Sequence, residues 1–184
     1  MNQIQHKNMY YIHGYLSSPD GSKGTLLKEK LGVVPVKYRD VPAEQLVIQD
    51  CLDEIKKVIG SKHDVVLIGS SLGGCLVSKL LLEIPDQIKQ IFLLNPAVIP
   101  PEVDINTIPD MPPRILKEMK DDRLFKEKLQ TKITIFSATN DTVVPPEWVL
   151  EFARFQEATV QFLHDDHRFS THLSQLPELI SDFL

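Results

Sequence analysis

Short apolar runs alternate with segments of helical periodicity along this chain of 184 residues. Six runs recur, and four of them are apolar on both faces, as in strands buried beneath helices on each side. The six runs lie at residues 9–12, 33–36, 65–68, 91–94, 133–136 and 160–163. The clearest helical pattern covers residues 43–59, where apolar residues recur at three-to-four spacing and Gly60 closes the helix. Other helical patterns begin near Leu72, Pro113, Pro145 and Pro177.

This alternation of strands and helices predicts a parallel sheet with right-handed crossovers. We therefore expect a single α/β domain over residues 1–184, a three-layer sandwich in which a mostly parallel sheet of about six strands carries helices on both faces. Six of the thirteen prolines fall within residues 96–113, which excludes a continuous helix or strand there. Together with the charged piece that follows, residues 96–131 form either a solvated connection or a small proline-rich flap over a site. Of these two alternatives, we predict the small proline-rich flap.

Composition and charge narrow the class of protein. Residues of the AVILMFWYC set make up 42% and charged residues 24%, which is typical of a globular domain with a real core. The net charge of −5 gives no indication of nucleic acid or an anionic membrane as partner. The apolar runs are far shorter than the ~18 residues of a membrane span, and the N-terminus lacks the pattern of a secretory signal. Cys51 and Cys75 form neither a disulfide framework nor a zinc motif, so a reducing compartment, the cytoplasm, is expected.

Candidate chemistry appears where the third apolar run ends, at the G-x-S-x-G of residues 69–73. Ligands of open parallel sheets bind at the carboxyl ends of the strands. In this pattern the central serine, Ser71, sits on a tight, strained strand-to-helix turn that exposes its hydroxyl. Side chains at Gly69 and Gly73 would clash with that turn, and the following helix directs its N–H groups and positive dipole end at the same point. We predict that Ser71 is a nucleophile, the alternative being a merely structural turn.

The same glycines also begin a phosphate-loop pattern, Gly69-x4-Gly74. That motif continues with lysine and then serine or threonine, which hold phosphates and magnesium. Because Cys75 and Leu76 occupy those two positions, the sequence excludes a nucleotide-binding loop of this type.

A serine nucleophile needs a base and an acid that orients the base, which in this architecture follow in the order Ser, Asp or Glu, His. Asp141 follows the fifth run, although taken alone it would also suit a helix cap before Pro145. His167 follows the sixth run. We predict Asp141 as the acid and His167 as the base, with His164 as the reserve candidate. A metal pair of the two histidines with neighbouring aspartates is the alternative, but ligands in one short loop rarely complete a site.

Two backbone donors are expected to stabilise the oxyanion. One is the N–H of Leu72, directly after the nucleophile, and the other comes from the loop after the first strand. In that loop Gly14 permits a tight turn, and the N–H of Tyr15 is the natural second donor. His13 is then a loop-shaping residue and not a base. The remaining histidines are expected to be surface or packing residues: His6, His63 and His172.

With these residues assembled, the sequence resembles the α/β-hydrolase superfamily and, more narrowly, the small YqiA/YcfP-type bacterial esterases. Five segments carry the resemblance over nearly the whole chain: YIHGYLSSP at 11–19, IGSSLGG at 68–74, LNPA at 94–97, DTVVP at 141–145 and HRF at 167–169. The resemblance implies triad roles for Ser71, Asp141 and His167, and acyl esters or thioesters as substrates. Relatives tend to have glycine where this chain has His164 and Asp165, and aspartate tolerates the turn conformations that glycine supplies.

Pattern and resemblance together predict a serine esterase that cleaves small acyl esters through an acyl-serine intermediate, with no cofactor and no metal. The expected partner is a small acyl ester or thioester, and the sequence predicts no oligomeric state. The alternatives are a thioesterase or an amide hydrolase on the same triad, and a non-catalytic binding protein that kept the fold. Residues 96–131 are too few for a full cap domain, so we expect a shallow, open site.

Overall fold

All six predicted strands are present and belong to one sheet. The structure, a computed structural model, describes residues 8–184, so the predictions for His6 and for a secretory signal lie outside the described residues. The strands are β1 (Met9–Ile12), β2 (Val34–Pro35), β3 (Val65–Ser70), β4 (Ile88–Leu94), β5 (Lys132–Ala138) and β6 (Thr159–Leu163). The helices are α1 (Ser22–Leu31), α2 (Ile48–Ile59), α3 (Leu72–Glu83), α4 (Pro113–Met119), α5 (Pro146–Gln156) and α6 (Leu176–Ser181).

The sheet has the strand order β2-β1-β3-β4-β5-β6, and every neighbouring pair is parallel. The four central strands are almost entirely buried, whereas the edge strands β2 and β6 are partly exposed. This is why the central strands read as continuous apolar runs: each has helices above and below it. The strand order reverses between β1 and β3, so their carboxyl ends flank the crevice in which such sheets bind ligands.

Helices cover both faces of the sheet, and the predicted three-layer sandwich is confirmed. Helices α2 to α5 pack on one face through residues such as Leu52, Leu76 and Phe152. Helices α1 and α6 pack on the other face, where Leu27 and Ile180 are fully buried. Burying one such side chain stabilises the fold by about 1.5–3 kcal/mol relative to leaving it exposed.

Helix α2 begins at Ile48, so the predicted start at residue 43 is wrong. Residues Ala43–Gln45 form a separate 3-10 turn, and the chain is extended at Val47. The backbone N–H of Ile48 donates to the carboxylate of Glu118 on α4 at 2.9 Å, so a distant side chain caps the helix. A cap that comes from a distant residue leaves no pattern in the local sequence, so it could not be predicted. The predicted end is confirmed, because Gly60 follows α2 with φ 62°.

Helix α1 has no counterpart among the predicted helices. It buries only Gly24 and Leu27, and lysines occupy much of the rest, so its apolar stripe is too narrow to produce a clear helical pattern. The longest helices, α2 and α3, have 12 residues each. Within residues 8–184 no helix has the length and apolarity that crossing a bilayer requires.

Residues 96–131 connect β4 to β5 and pack into the core on the α3 face. Val98, Ile99 and Leu116 from this segment are buried in the same cluster as the residues of α2 and α3. Lys79 of α3 forms an ion pair with Asp121 at 2.9 Å, with only 11% and 10% of the two side chains exposed. Burial raises the pKa of Asp121, but hydrogen bonds from Arg123 and Lys79 outweigh it and hold that pKa well below its usual range. The segment is thus anchored to α3, and its role as a flap stays a prediction.

Candidate active site

Ser71 lies at the turn between β3 and α3, where the sequence places it. Its backbone has φ 54° and ψ −118°, a combination that residues with a side chain rarely adopt. The N–H of Ser71 donates to the carbonyl of Leu94, and the carbonyl of Ser71 accepts from the N–H of Ala97, both at 3.0 Å. The last residue of β4 and the segment after it therefore hold this strained turn from both sides. This is the conformation that the G-x-S-x-G pattern predicts.

The two glycines of the motif are required by close backbone contacts. A β-carbon on Gly69 would lie 2.5 Å from the carbonyl oxygen of Gly73. A β-carbon on Gly73 would lie 2.0 Å from the carbonyl oxygen of Ile12. Non-bonded contacts of a β-carbon are essentially never this short, so a side chain is excluded at both positions. The predicted clash with the turn holds for Gly69, whereas at Gly73 the clash is with the end of β1.

Asp141 and His167 meet at the same edge of the sheet, in the loops after β5 and β6. His167 Nδ1 and Asp141 Oδ2 are 2.7 Å apart, with 20% of the imidazole side chain and 2% of the carboxylate exposed. The second oxygen, Asp141 Oδ1, accepts hydrogen bonds from the N–H groups of Val143 and Val144, both at 2.8 Å. An ionised carboxylate only accepts, so this hydrogen bond requires a proton on Nδ1 of His167, and in a neutral imidazole Nε2 is then the acceptor. That tautomer is the one a general base needs.

The loop after β1 lies directly against Ser71. A β-carbon on Gly14 would be 3.3 Å from the Ser71 β-carbon, a tight contact, and 3.9 Å from its Oγ, an ordinary van der Waals contact. Within residues 8–184, neither the N–H of Tyr15 nor that of Leu72 donates to another protein atom. Leu72 is the first residue of α3, where N–H groups have no intrahelical acceptor. The predicted donors thus lie in the loop after β1, for Tyr15, and at the first residue of α3, for Leu72.

Residues after β2 hold the loop that carries Tyr15. The guanidinium of Arg39 donates to the carbonyl oxygens of Tyr15 at 2.6 Å and Ser17 at 3.1 Å. The Tyr38 hydroxyl donates to the carbonyl of His13 at 3.0 Å, and the two rings stack with centroids 4.3 Å apart. The loop is therefore fixed at three carbonyls, those of residues 13, 15 and 17, which sequence reasoning did not find because β1 and β2 are joined by a whole helix.

His13 is buried, and its environment fits the predicted loop-shaping role. Burial lowers the pKa of His13, and its Nδ1 lies 2.9 Å from the carbonyl oxygen of Gly14. A neutral imidazole that donates to this carbonyl closes the tight turn at the glycine. His13 is stacked on Tyr38, away from any carboxylate partner in the part of the chain that the structure describes.

The other two late histidines, His164 and His172, make different contacts from His167. His164, the reserve candidate, is exposed, and its Nδ1 lies 3.3 Å from the Thr139 hydroxyl. His172, expected to be a surface or packing residue, is partly exposed and is hydrogen-bonded through Nδ1 to Asp165 at 2.8 Å, a partner that the sequence did not predict. The sequence hides this second pair because Asp165 and His172 are seven residues apart in an irregular loop. Across residues 8–184 no three His, Cys, Asp or Glu side chains converge as a metal site.

A parallel sheet with a strained serine turn after β3 and an Asp–His pair after β5 and β6 defines the α/β-hydrolase class of fold. Within that class the chain belongs to the uncharacterised protein family UPF0227, whose model matches residues 8–184. The resemblance drawn from the sequence is therefore confirmed for superfamily and family. No curated protein matches the chain significantly.

Solved structures agree with this fold at low sequence identity. Est1E from Butyrivibrio proteoclasticus, in a structure with bound ferulic acid, has a TM-score of 0.77 and 19% identity, over 95% of this chain and 86% of that one. The mouse α/β-hydrolase domain-containing protein 10 has a TM-score of 0.78 and 17% identity, over 97% and 89%. The monoacylglycerol lipase of Paleococcus ferrophilus has a TM-score of 0.69 and 16% identity, over 95% and 92%. At these identities the likeness establishes the fold alone.

Proposed function

We propose that this protein is a serine hydrolase that cleaves small carboxylic esters through an acyl-serine intermediate. The observation that carries the proposal is the 2.7 Å bond between His167 Nδ1 and Asp141 Oδ2, at the sheet edge that also holds the strained turn of Ser71. A serine hydroxyl is a poor nucleophile until a base removes its proton, and an imidazole oriented by a carboxylate is suited to that task.

In the proposed reaction, Ser71 Oγ attacks the ester carbonyl while Nε2 of His167 takes the hydroxyl proton. The carbonyl oxygen becomes an oxyanion, which accepts hydrogen bonds from the N–H groups of Tyr15 and Leu72. One such donor typically contributes about 3 kcal/mol of transition-state stabilisation. His167 then gives its proton to the leaving alcohol, and water attacks the acyl-serine by the same route. Asp141 stabilises the imidazolium in both halves without taking the proton.

The fold favours a small or extended acyl group over a long chain held in a deep channel. The segment that is available as a cover, residues 96–131, is anchored to α3 by Lys79 and Asp121. Tyr15 packs against the same apolar cluster as Val103 and Ile105 of that segment. We propose that the segment is a small, fixed flap beside a shallow site. Two structural neighbours have lipase in their names, the monoacylglycerol lipase of Paleococcus ferrophilus and a lipase-esterase related protein of Clostridium acetobutylicum.

The proposed location is the cytoplasm. Cys51 and Cys75 are free and buried, and burial raises the pKa of their thiols to about 11 and about 12. Thiols that are protonated and buried in this way are unreactive, which suits a protein of a reducing compartment.

The test is hydrolysis of a chromogenic short-acyl ester by Ser71→Ala. We expect the rate to fall by at least about 10³-fold, because the residual catalysis comes from binding and the oxyanion donors alone. The adjacent Ser70→Ala is the matched control and keeps the activity, since Ser70 is a buried residue of β3. An unchanged rate in Ser71→Ala would overturn the proposal. Turnover of acyl-CoA or amide substrates with no ester cleavage would overturn the ester assignment while retaining the triad.

A further inference from the structure

Asn95 is a buried residue whose side chain makes three hydrogen bonds at the end of β4. Its Oδ1 accepts from the backbone N–H of Ala138 at 2.7 Å. Its Nδ2 donates to the carbonyl of His167 at 3.1 Å and to that of Asp166 at 3.5 Å. The N–H of Ala138 is a donor and therefore faces the amide oxygen, whereas the carbonyl of His167 is an acceptor and therefore faces the amide nitrogen. Together they fix the orientation of the amide.

These bonds connect the parts of the chain that carry the proposed triad. Ala138 ends β5, which leads to Asp141 three residues later. The carbonyl of His167 belongs to the residue proposed as the base. Leu94, directly before Asn95, and Ala97, two residues after it, hold the backbone of Ser71 from both sides. Residues 94–97 thus contact the backbone of the nucleophile, the strand of the acid and the loop of the base.

Asparagine suits this position in two ways. Its backbone has φ 46°, a left-handed conformation in which asparagine is found more often than other residues with side chains. Its amide also supplies an acceptor and a donor in one planar group. Aspartate would tolerate the backbone but lacks the donor, and glycine would tolerate the backbone but lacks both.

We propose that Asn95 is a positioning residue, which sets the distance between His167 and Ser71 by tying the His167 loop to β4 and β5. This inference rests on the proposed function, because the effect of Asn95 is exerted through His167. The hydrogen bonds of the buried Asn95 side chain go to backbone groups, so in this proposal it neither binds the substrate nor moves a proton.

The experiment compares Asn95→Gly with Gln156→Ala, a matched control far from the site. Gln156 is a second buried amide with the same pattern, since it accepts from Leu129 N–H and donates to two carbonyls. Both variants lose stability, but we expect only Asn95→Gly to lose kcat per active site, by about 10- to 100-fold, because a misplaced base slows the chemical step. Active sites are counted by titration with a fluorophosphonate, so that unfolded molecules do not contribute.

Two further readouts separate positioning from a general loss of structure. For Asn95→Gly, KM stays within about threefold of wild type, and the acid limb of the kcat/KM profile moves to lower pH because a looser His167–Asp141 bond stabilises the imidazolium less. If Asn95→Gly does not fold, Asn95→Asp, which keeps the acceptor for Ala138, decides by the same loss of kcat.

Wild-type kcat per titrated site and a wild-type pH profile in the folded variant would overturn the proposal, as would an equal loss of kcat in Gln156→Ala. If the wild-type protein itself neither reacts with the fluorophosphonate nor cleaves esters, the proposed function has failed, and the result is distinguishable from a failure confined to Asn95.

Discussion

Two Asp–His pairs stand near one end of this protein, and locally they are almost the same. The Nδ1–Oδ2 distance is 2.7 Å between His167 and Asp141 and 2.8 Å between His172 and Asp165. In both pairs the carboxylate is buried and the imidazole is partly exposed. The Asp–His hydrogen bond alone therefore does not show which pair is placed for catalysis.

The pairs differ in what else the carboxylate binds. Asp141 accepts from the two N–H groups that follow it, so it is held in its own strand-end loop and presents one oxygen to His167. Asp165 accepts from the N–H groups of Asp166, Thr171 and His172, so it closes the loop in which His167 stands. We infer that the first pair orients the base and the second shapes the loop around it. The other hydrogen bonds of the carboxylate, and not the Asp–His bond itself, therefore distinguish the two pairs.

The largest expected effect is the loss of the base. His167→Ala should lower kcat by up to about 10⁶-fold, since the proton acceptor is removed. His172→Ala should stay within about tenfold of wild type, because it disturbs only the shape of the loop. Steady-state hydrolysis of the short-acyl ester measures both. Equal losses in the two variants would erase the distinction between the pairs.

The next effect is the loss of the acid. Asp141→Asn keeps the shape of the side chain but no longer stabilises the correct imidazole tautomer, so kcat should fall by about 10⁴-fold. Asp165→Asn, the same change in the other pair, should leave kcat within about tenfold of wild type. The comparison is made at a temperature at which circular dichroism shows both variants folded. A larger kcat loss in Asp165→Asn than in Asp141→Asn would reverse the assignment.

The next prediction concerns the stability that Asp165 gives to its loop. Asp165→Asn places an amide where four hydrogen bonds to a buried carboxylate are made, so the free energy of unfolding should fall by about 1–3 kcal/mol. Urea denaturation of the variant and of wild type measures this difference. A midpoint equal to that of wild type would show that the pair does not hold the loop.

A smaller effect is the loss of stability at low pH. Burial raises the pKa of Asp165, but hydrogen bonds from His172 and from the N–H groups of Thr171, Asp166 and His172 outweigh it and lower that pKa to about 2. The folded pKa lies below the ordinary value of about 3.9, so the folded state binds fewer protons there. The stabilisation is present above about pH 4 and is lost as the pH falls towards 2. Stability of Asp165→Asn should therefore decline less steeply over this range than that of wild type.

Much of this architecture could be predicted from the sequence because its signals are local. The central strands read as apolar runs since they are buried on both faces, and Ser71 is marked by glycines that close contacts require. Asp141 and His167 follow strands, where catalytic residues of such sheets stand.

The features that could not be predicted from the sequence are tertiary contacts. Glu118 caps α2 from a segment far along the chain, and Arg39 holds the loop of Tyr15 from beyond a helix. Asn95 stood within a family motif, but its contacts with Ala138 and His167 appear only when three loops meet. The pairing of Asp165 with His172 depends on how an irregular loop folds, which no periodicity reports.

The most direct measurement is the reaction of the protein with a fluorophosphonate, followed by intact-mass analysis and peptide mapping. We expect a single adduct on Ser71 in wild type and in His172→Ala, formed at least about 10³-fold more slowly in His167→Ala. An adduct on another residue, or equal labelling rates in His167→Ala and wild type, would contradict the claim that the Asp141–His167 pair activates Ser71.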